Sequence, residues 1–324
     1  MTDWGGAATG GRHESRRLIV NADDMGLATG VNEGIRIAAT QGILTSASLM
    51  ACGRAFEDAV GEARDLAALG VGVHLTVVGE APVSEIARVR SLVNVAGRFP
   101  RTYRHLVLRW LGRRIILDEV EGEFRSQIER VLGAGIRPTH LDSHQHVHLL
   151  PGFLPRVANL AREYRIGAIR CPAERWAEMA RVSGPRRAWE ATLLRVLAGA
   201  RRGWLRRRGI QTTDGVAGIT CSGRLTPDRL RAILCRLPAG TTELVCHPGK
   251  VSPDMRGAYA HWAYRWEDEL RALTDPGMRA LVEELRIALV TFSDLGPAGP
   301  VCNDSPPEPA DLWMRPRALE KESP

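Results

Sequence analysis

Leu18-Ile-Val-Asn-Ala-Asp23-Asp24 is the stretch whose reading decides the fold. Three large aliphatic residues running into a polar turn read as a buried strand. In a nucleotide-binding open sheet a Gly-rich phosphate loop would follow the first strand, and here two carboxylates follow it instead. Outward from this point, short apolar runs recur at Leu44–Met50, Val71–Leu75, Thr139–Asp142, Gly167–Cys171, Glu243–Cys246 and Ala288–Phe292, with a weaker one near Val216–Ile219. Helical patterns fill the intervals, at 30–40, 55–68, 118–133, 153–164, 227–236 and 277–286, and Gly133, Gly135, Pro138, Pro151 and Gly240 punctuate the junctions. Alternation of this kind implies a parallel sheet. Seven or eight units predict an α/β fold, a single-domain (β/α) barrel of irregular form, ahead of a doubly wound open sheet.

The barrel domain is expected over residues 18–295, behind a flexible N-terminus at 1–17 and ahead of a Pro-rich disordered tail at 296–324. Two stretches, 80–117 and 173–212, are long for connections in a compact domain and are expected to carry function or a binding surface.

Composition narrows the class. The 324 residues are 44% hydrophobic and 25% charged, which excludes wholesale disorder. No apolar run approaches the roughly 18–20 residues of a membrane span. Met1–Arg17 has no apolar core of a secretory signal, and the six scattered Cys form no CxxC pair, so a cytoplasmic location is expected. The net charge of +7 is local: 181–209 holds nine Arg and one acid, Glu190, leaving the rest of the chain at −1. A charged partner is therefore sought at that insert and not across the whole surface.

Ionisable residues collect at predicted strand ends: Asp23-Asp24, His74, the run Thr139-His140-Leu-Asp142-Ser-His144-Gln-His146-Val-His148, and His247-Pro248-Gly249. In a (β/α) barrel these ends share one rim, so residues distant in sequence converge. Singly, each has an ordinary reading. Adjacent Asp residues cap helices, a His on an apolar strand is a hydrogen-bonded core residue, and Lys250 is a solvated lysine. Together they describe a metal site with three protein ligands and open positions: one His from the run, His74 and one carboxylate. His140, Asp142 and His144 share one strand face by their spacing of two, and the residues not used as ligands could fix a ligand's tautomer. His247 is a candidate general acid or oxyanion stabiliser. A Ser-His-Asp reading of Ser143 fails for want of a Gly-x-Ser-x-Gly elbow.

At these residues the chain resembles the YdjC-like carbohydrate deacetylases, the family that includes chitooligosaccharide deacetylase. The matching elements are Asn21-Ala-Asp-Asp-x-Gly26, Gly42-Ile-x-Thr-Ser46, Gly72-x-His74, Pro138 with Thr139–His148, and Cys246-His-Pro248. The resemblance implies that Asp24, His74 and His144 hold a divalent metal, that Asp23 is the catalytic base, and that His247 assists at the oxyanion or leaving group. His140, Asp142, His146 and His148 remain for second-shell or substrate roles. One metal ion is expected, zinc or magnesium, with manganese or cobalt open. Within the family, Arg207-Arg-Gly-Ile-Gln-Thr-Thr-Asp-Gly215, Thr242–Gly249 and Tyr264-x-Trp-x-x-Glu-Leu270 are similar to a hopanoid-associated branch. That branch implies hydrolysis of the acetamide of an N-acetylglucosaminyl group on a hopanoid glycolipid, releasing acetate. A soluble chitooligosaccharide substrate, metal-dependent phosphoester cleavage, and a non-catalytic glycolipid-binding protein are the alternatives.

The Arg-rich insert bears on that choice. Trp189, Leu193, Leu197, Ala200 and Trp204 follow helical spacing while Arg187, Arg195, Arg202 and Arg206 fall elsewhere around the helix. Trp189, Arg195, Arg202, Trp204 and Arg206 are therefore candidate membrane-interface residues, with peripheral contact at the inner face of a membrane. A second basic-aromatic stretch, Arg101 to Arg114, could lie beside it. An ordinary helix packed on the barrel fits the first pattern too. No nucleic acid is expected, since no binding motif accompanies the charge, and a homo-oligomer stays open.

Overall fold

The computed structural model describes residues 15–172, 199 and 201–296. Eight parallel strands form one sheet: β1 (Arg16–Met25), β2 (Ser46–Leu49), β3 (Gly70–Leu75), β4 (His140–Ser143), β5 (Ala168–Ile169), β6 (Gly215–Ala217), β7 (Gly240–Cys246) and β8 (Ala288–Leu289). Seven run in the order β5-β4-β3-β2-β1-β7-β6, and β8 pairs with the start of β1 through Arg17 and Leu18. The two ends of this path approach each other, because Ala168 of β5 bridges Gln211 in the segment entering β6. The architecture is the barrel-like α/β sheet that the alternating pattern predicts. Each strand lies within or beside its predicted run, and β1 and β7 are longer than their apolar parts. Their polar ends continue the pairing: Leu18 to Ala22 align with Thr242 to Cys246, which sets the Asp23 turn beside the His247 turn.

From Leu18 to Met25 every residue of β1 is buried, as expected of a strand covered on both faces. Helices Thr29–Gln41, Phe56–Asp65, Leu117–Gly133, Phe153–Glu163, Pro227–Cys235 and Pro276–Glu284 surround the sheet where the sequence places them. Thr226 and Asp275 cap the last two, each with Pro at the first helical position, whose missing N–H costs nothing there. Three helices have no counterpart in the sequence reading: Tyr103–Leu111 inside the 80–117 insertion, Pro253–Ala258, and Trp266–Thr274. Trp266–Thr274 packs against Thr29–Gln41, and the loop carrying His247 passes between them. A methyl group on Gly34 would lie 2.3 Å from the Cα of Gly249, so the His-Pro-Gly turn sits this close only because residue 34 is glycine. The predicted flexible N-terminus and Pro-rich tail fall almost entirely outside the described residues. None of the described helices is long and apolar enough to cross a membrane.

Candidate metal centre and active site

The strand ends bring Asp24, His74 and His144 together, with one ligand atom of each within 4.8 Å of the others. Asp24, near the end of the buried run of β1, has φ at +67°, a strained conformation for a residue with a side chain, and Gly26 just beyond the strand has φ +88°. The turn is held by Asn32, whose Oδ1 accepts from the Gly26 amide at 2.7 Å. His74 ends β3. Its Nδ1 is 2.9 Å from Asp142 Oδ1 and its Nε2 is 3.4 Å from Asp24 Oδ1. A carboxylate behind one imidazole nitrogen fixes the ring so that the other faces the site. His144 follows β4, with Nδ1 2.9 Å from the same Asp24 oxygen.

All three are buried, and Asp24 Oδ2 has no hydrogen-bond partner. Burial opposes the Asp24 charge, but the two imidazoles outweigh it and hold the carboxyl well below the usual range. Burial likewise opposes a charge on His74, yet Asp142 and Asp23 raise it to about 10. A site that stabilises positive charge, with an unpartnered carboxylate oxygen and a carboxylate-backed imidazole, fits a divalent cation.

Beneath lies a second cluster that the sequence reading missed. Arg170, one residue past β5 and fully buried, donates through Nη1 and Nη2 to the two oxygens of Asp23 at 2.7 and 2.6 Å. Its Nε donates to Glu243 Oε1 at 2.7 Å, and its Nη1 lies 2.6 Å from Asp142 Oδ2. Burial works against ionisation of Asp23, but Arg170 and His74 keep its pKa below the usual value. Asn21 Nδ2 also donates to Asp23 Oδ1, at 3.0 Å. A carboxylate has about four acceptor positions, so these three bonds leave one for a proton or water.

The remaining predicted residues divide. His140 and Asp142, on one face of β4 as their spacing predicts, both meet Ser48 Oγ, at 3.1 and 2.9 Å. His140 also stacks on Phe292 at 3.8 Å, and its ring occupies the space a side chain at position 72 would fill. That is the physical content of glycine in Gly72-x-His74. Burial pushes His140 and His146 down to about 3 and His148 to about 4, so all three are neutral. His148 turns away from the rim: its Nδ1 is 2.5 Å from Ser143 Oγ and its Nε2 is 3.0 Å from the Arg170 carbonyl. Gln145 and His146 adopt φ near +55°, and this bend separates His144 at the rim from His148 beneath it. Ser143 is buried and lines neither of the cavities described next. Lys250, exposed, pairs with Glu33 at 2.9 Å.

Asp23, His74, His144, His146, Ser222, His247 and Tyr264 line a cavity of about 60 Å³. His247 is held through its backbone: its amide donates to Glu269 Oε2 at 2.5 Å, while its ring lies edge-on to Tyr264 at 4.9 Å. Glu269 is fully buried and also accepts from the Leu225 amide, so it ties two loops to one carboxylate. It belongs to the Tyr264–Leu270 motif noted in the sequence, without a role assigned there. Next to this cavity, and sharing His144 and Gln145 with it, is a larger one of about 310 Å³. Arg54, Glu80, Arg98, Arg101, Tyr259 and Trp262 are among its walls, and Trp262 stacks on His144 at 5.2 Å.

Two of the five predicted interface residues, Trp189 and Arg195, lie outside the described residues. Of the other three, Arg202 and Trp204 pack on the barrel and Arg206 is an exposed residue paired with Asp214. Arg202 donates to the Asp214 carbonyl at 2.7 Å, Arg206 pairs with the Asp214 carboxylate at 2.8 Å, and Trp204 packs half-buried on the core under Arg208.

Residues 17–284 match the family model described as YdjC-like protein. The chain belongs to this family. Within it, the chain is 35% identical over 86% of its length to a carbohydrate deacetylase of Brevibacillus brevis, all of which is covered. A carbohydrate deacetylase of Geobacillus stearothermophilus is 34% identical, with the match covering 86% of this chain and 98% of that one. Among solved structures, a protein of Enterococcus faecalis V583 provisionally described as acting in cellobiose-phosphate cleavage superposes with a TM-score of 0.69 at 26% identity, over 87% of this chain and 99% of that one.

Proposed function

We propose that the protein is a metal-dependent carbohydrate N-deacetylase acting on an N-acetylglucosaminyl group, with a hopanoid glycolipid as substrate. The observation that carries the reaction is the joining of Asp23, His74, His144 and His247 in one small cavity. A cavity of about 60 Å³ matches an acetyl group, and the larger neighbouring one has room for a sugar. Family relatives named carbohydrate deacetylase support the same chemistry.

Asp24, His74 and His144 would hold the cation, which supplies acidity to a water and polarises the acetyl carbonyl. Asp23 uses its one unengaged acceptor position to take the water's proton. Arg170 keeps that carboxylate ionised and aimed. His247, across the cavity, delivers a proton to the departing sugar amine, which is a poor leaving group without one. Trp262 offers a flat face for a sugar ring beside His144. The glycolipid reading rests on the resemblance at 207–215, 242–249 and 264–270, two of which contribute His247 and Tyr264 to the acetyl cavity.

Acetate release from an N-acetylglucosaminyl hopanoid and from N,N′-diacetylchitobiose, side by side with and without chelator, tests the proposal. Chelator-sensitive release from the lipid substrate alone is the expected outcome. Release from the chitobiose alone would keep the reaction and discard the glycolipid. Release from neither by metal-loaded protein would overturn the deacetylase reading.

A further inference from the structure

Six large hydrophobic residues stand exposed among the described residues, and five of them belong to the 80–117 insertion: Ile86, Val95, Leu108, Leu111 and Ile116. Leu108 and Leu111 are 64% and 62% exposed on the helix Tyr103–Leu111, and Ile116, at 54%, lies five residues beyond it, just before the helix Leu117–Gly133. Three residues apart, the two leucines share a face, and Arg104 four residues before Leu108 extends the same stripe. The opposite side of this helix is committed to the barrel. Leu106 is fully buried, Trp110 donates to the Pro151 carbonyl at 3.2 Å, and Arg109 donates to the carbonyls of Ser91 and Val93. The outward apolar stripe is therefore not a requirement of packing.

The segment itself is basic, while the acids that follow it are engaged: Asp118 pairs with Arg156 and Glu119 accepts from the Ser91 amide. From 101 to 117 the chain carries Arg101, Arg104, Arg109, Arg113 and Arg114 and no Asp or Glu. Its position is also specific. Arg101, just before the helix, lines the larger cavity, and the Tyr103 amide donates to Gln145 Oε1, a residue of both cavities. Arg109 ties the helix to the 91–98 loop, whose Asn94 and Arg98 line the larger cavity as well. Exposed leucines on a segment with five arginines and no acid, on a helix fixed at a cavity mouth, complement a bilayer interface with anionic headgroups.

We propose that the helix Tyr103–Leu111, with Ile116 and the flanking arginines, is the surface by which the protein docks on anionic membranes, presenting the cavity mouth to the lipid. This deepens the glycolipid reading of the substrate, yet it is read out without any substrate. The Arg-rich insert is a separate candidate, its described part anchored to Asp214 by Arg202 and Arg206.

The test is flotation of the full chain with vesicles of phosphatidylcholine alone or with 30% (about a third) phosphatidylglycerol, at low and high salt. Binding is expected with the anionic vesicles and should weaken with salt. Leu108→Glu/Leu111→Glu should weaken it about tenfold or more. Arg113→Ser/Arg114→Ser should flatten the salt dependence. Circular dichroism and melting curves that match the parent's show that both variants fold. Three outcomes would overturn the proposal: no binding by the parent chain, undiminished binding by the leucine variant with loss only on Trp189→Ala/Arg195→Ala, or a dimer of the parent that the leucine variant dissociates.

Discussion

Two charged layers lie one beneath the other at the rim of the barrel, and they solve the problem of burying acids differently. The lower layer gathers Asp23, Asp142 and Glu243 around the guanidinium of Arg170, so each carboxylate meets a cation within the protein, although Glu243 Oε2 accepts no hydrogen bond. The upper layer sets Asp24 against two imidazoles and leaves one carboxylate oxygen unpartnered. On the proposed reading the lower layer, held by one internal cation, serves as a scaffold, and the upper one, with two neutral-capable imidazoles beside its carboxylate, would be completed by a divalent cation. His74 and Asp142 join them, since the Asp142 carboxylate touches Arg170 below and the His74 ring above.

The largest expected effect separates chemistry from scaffold. Asp23→Asn should lower kcat by about a hundredfold to ten-thousandfold with the fold and bound metal retained, because it removes only the proton acceptor. Comparable activity in this variant would remove Asp23 from the role of base.

Arg170→Met attacks the lower layer from within. It strands three carboxylates in the interior, and breaking buried pairs of this kind costs about 3–5 kcal/mol of stability. Arg170→Lys keeps a charge but loses the two-pronged grip on Asp23, so kcat should fall more than KM rises. Unfolding curves and steady-state kinetics read the two consequences separately. A lysine variant with parental kcat would mean that the grip does not aim the base.

The upper layer responds to ligand instead. Metal at about a hundredfold over its dissociation constant should raise unfolding stability by about 2.7 kcal/mol, and Asp24→Asn or His144→Ala should abolish that increment while leaving the metal-free protein nearly as stable as the parent. Thermal melts with and without metal measure it. An increment that survives both substitutions would place the ion elsewhere.

The smallest effect concerns Glu243, whose carboxyl burial raises to about 7 from 4.5 despite Arg170. The folded state favours the protonated acid, so this group's contribution is fully present below pH 4.5 and is lost as the pH rises through about 7. Glu243→Gln should flatten that part of the stability profile, and an unchanged profile would show that Glu243 does not titrate in this window.

The upper layer was legible in the sequence because its residues are rare in strands and sit at predicted strand ends. The rule that such ends share a rim brings Asp23-Asp24, His74 and the 140–148 run to one place, while the choice of Asp24 and of His144 within them came from the family resemblance. Arg170 occupies the same kind of position, directly after Ala168–Ile169, but an arginine at a strand end does not announce a metal or a proton transfer. Only the carboxylates around it give it a purpose. Glu269 and Trp262 lie on the late segment that folds over the cavities, where no strand pattern fixes their direction. The helix Tyr103–Leu111 was hidden for a related reason: its outward leucines blur the apolar periodicity that marks a packed helix.

The central claim is that the upper layer is a metal centre and the lower layer its scaffold. The most direct measurement is the metal content of the purified chain beside Asp24→Asn, His144→Ala and Asp23→Asn, after equilibration with zinc and removal of excess. The account predicts about one ion per chain in the parent and in Asp23→Asn, and loss of most of it in the other two. Equal metal in all four proteins, or none in the parent, would contradict it.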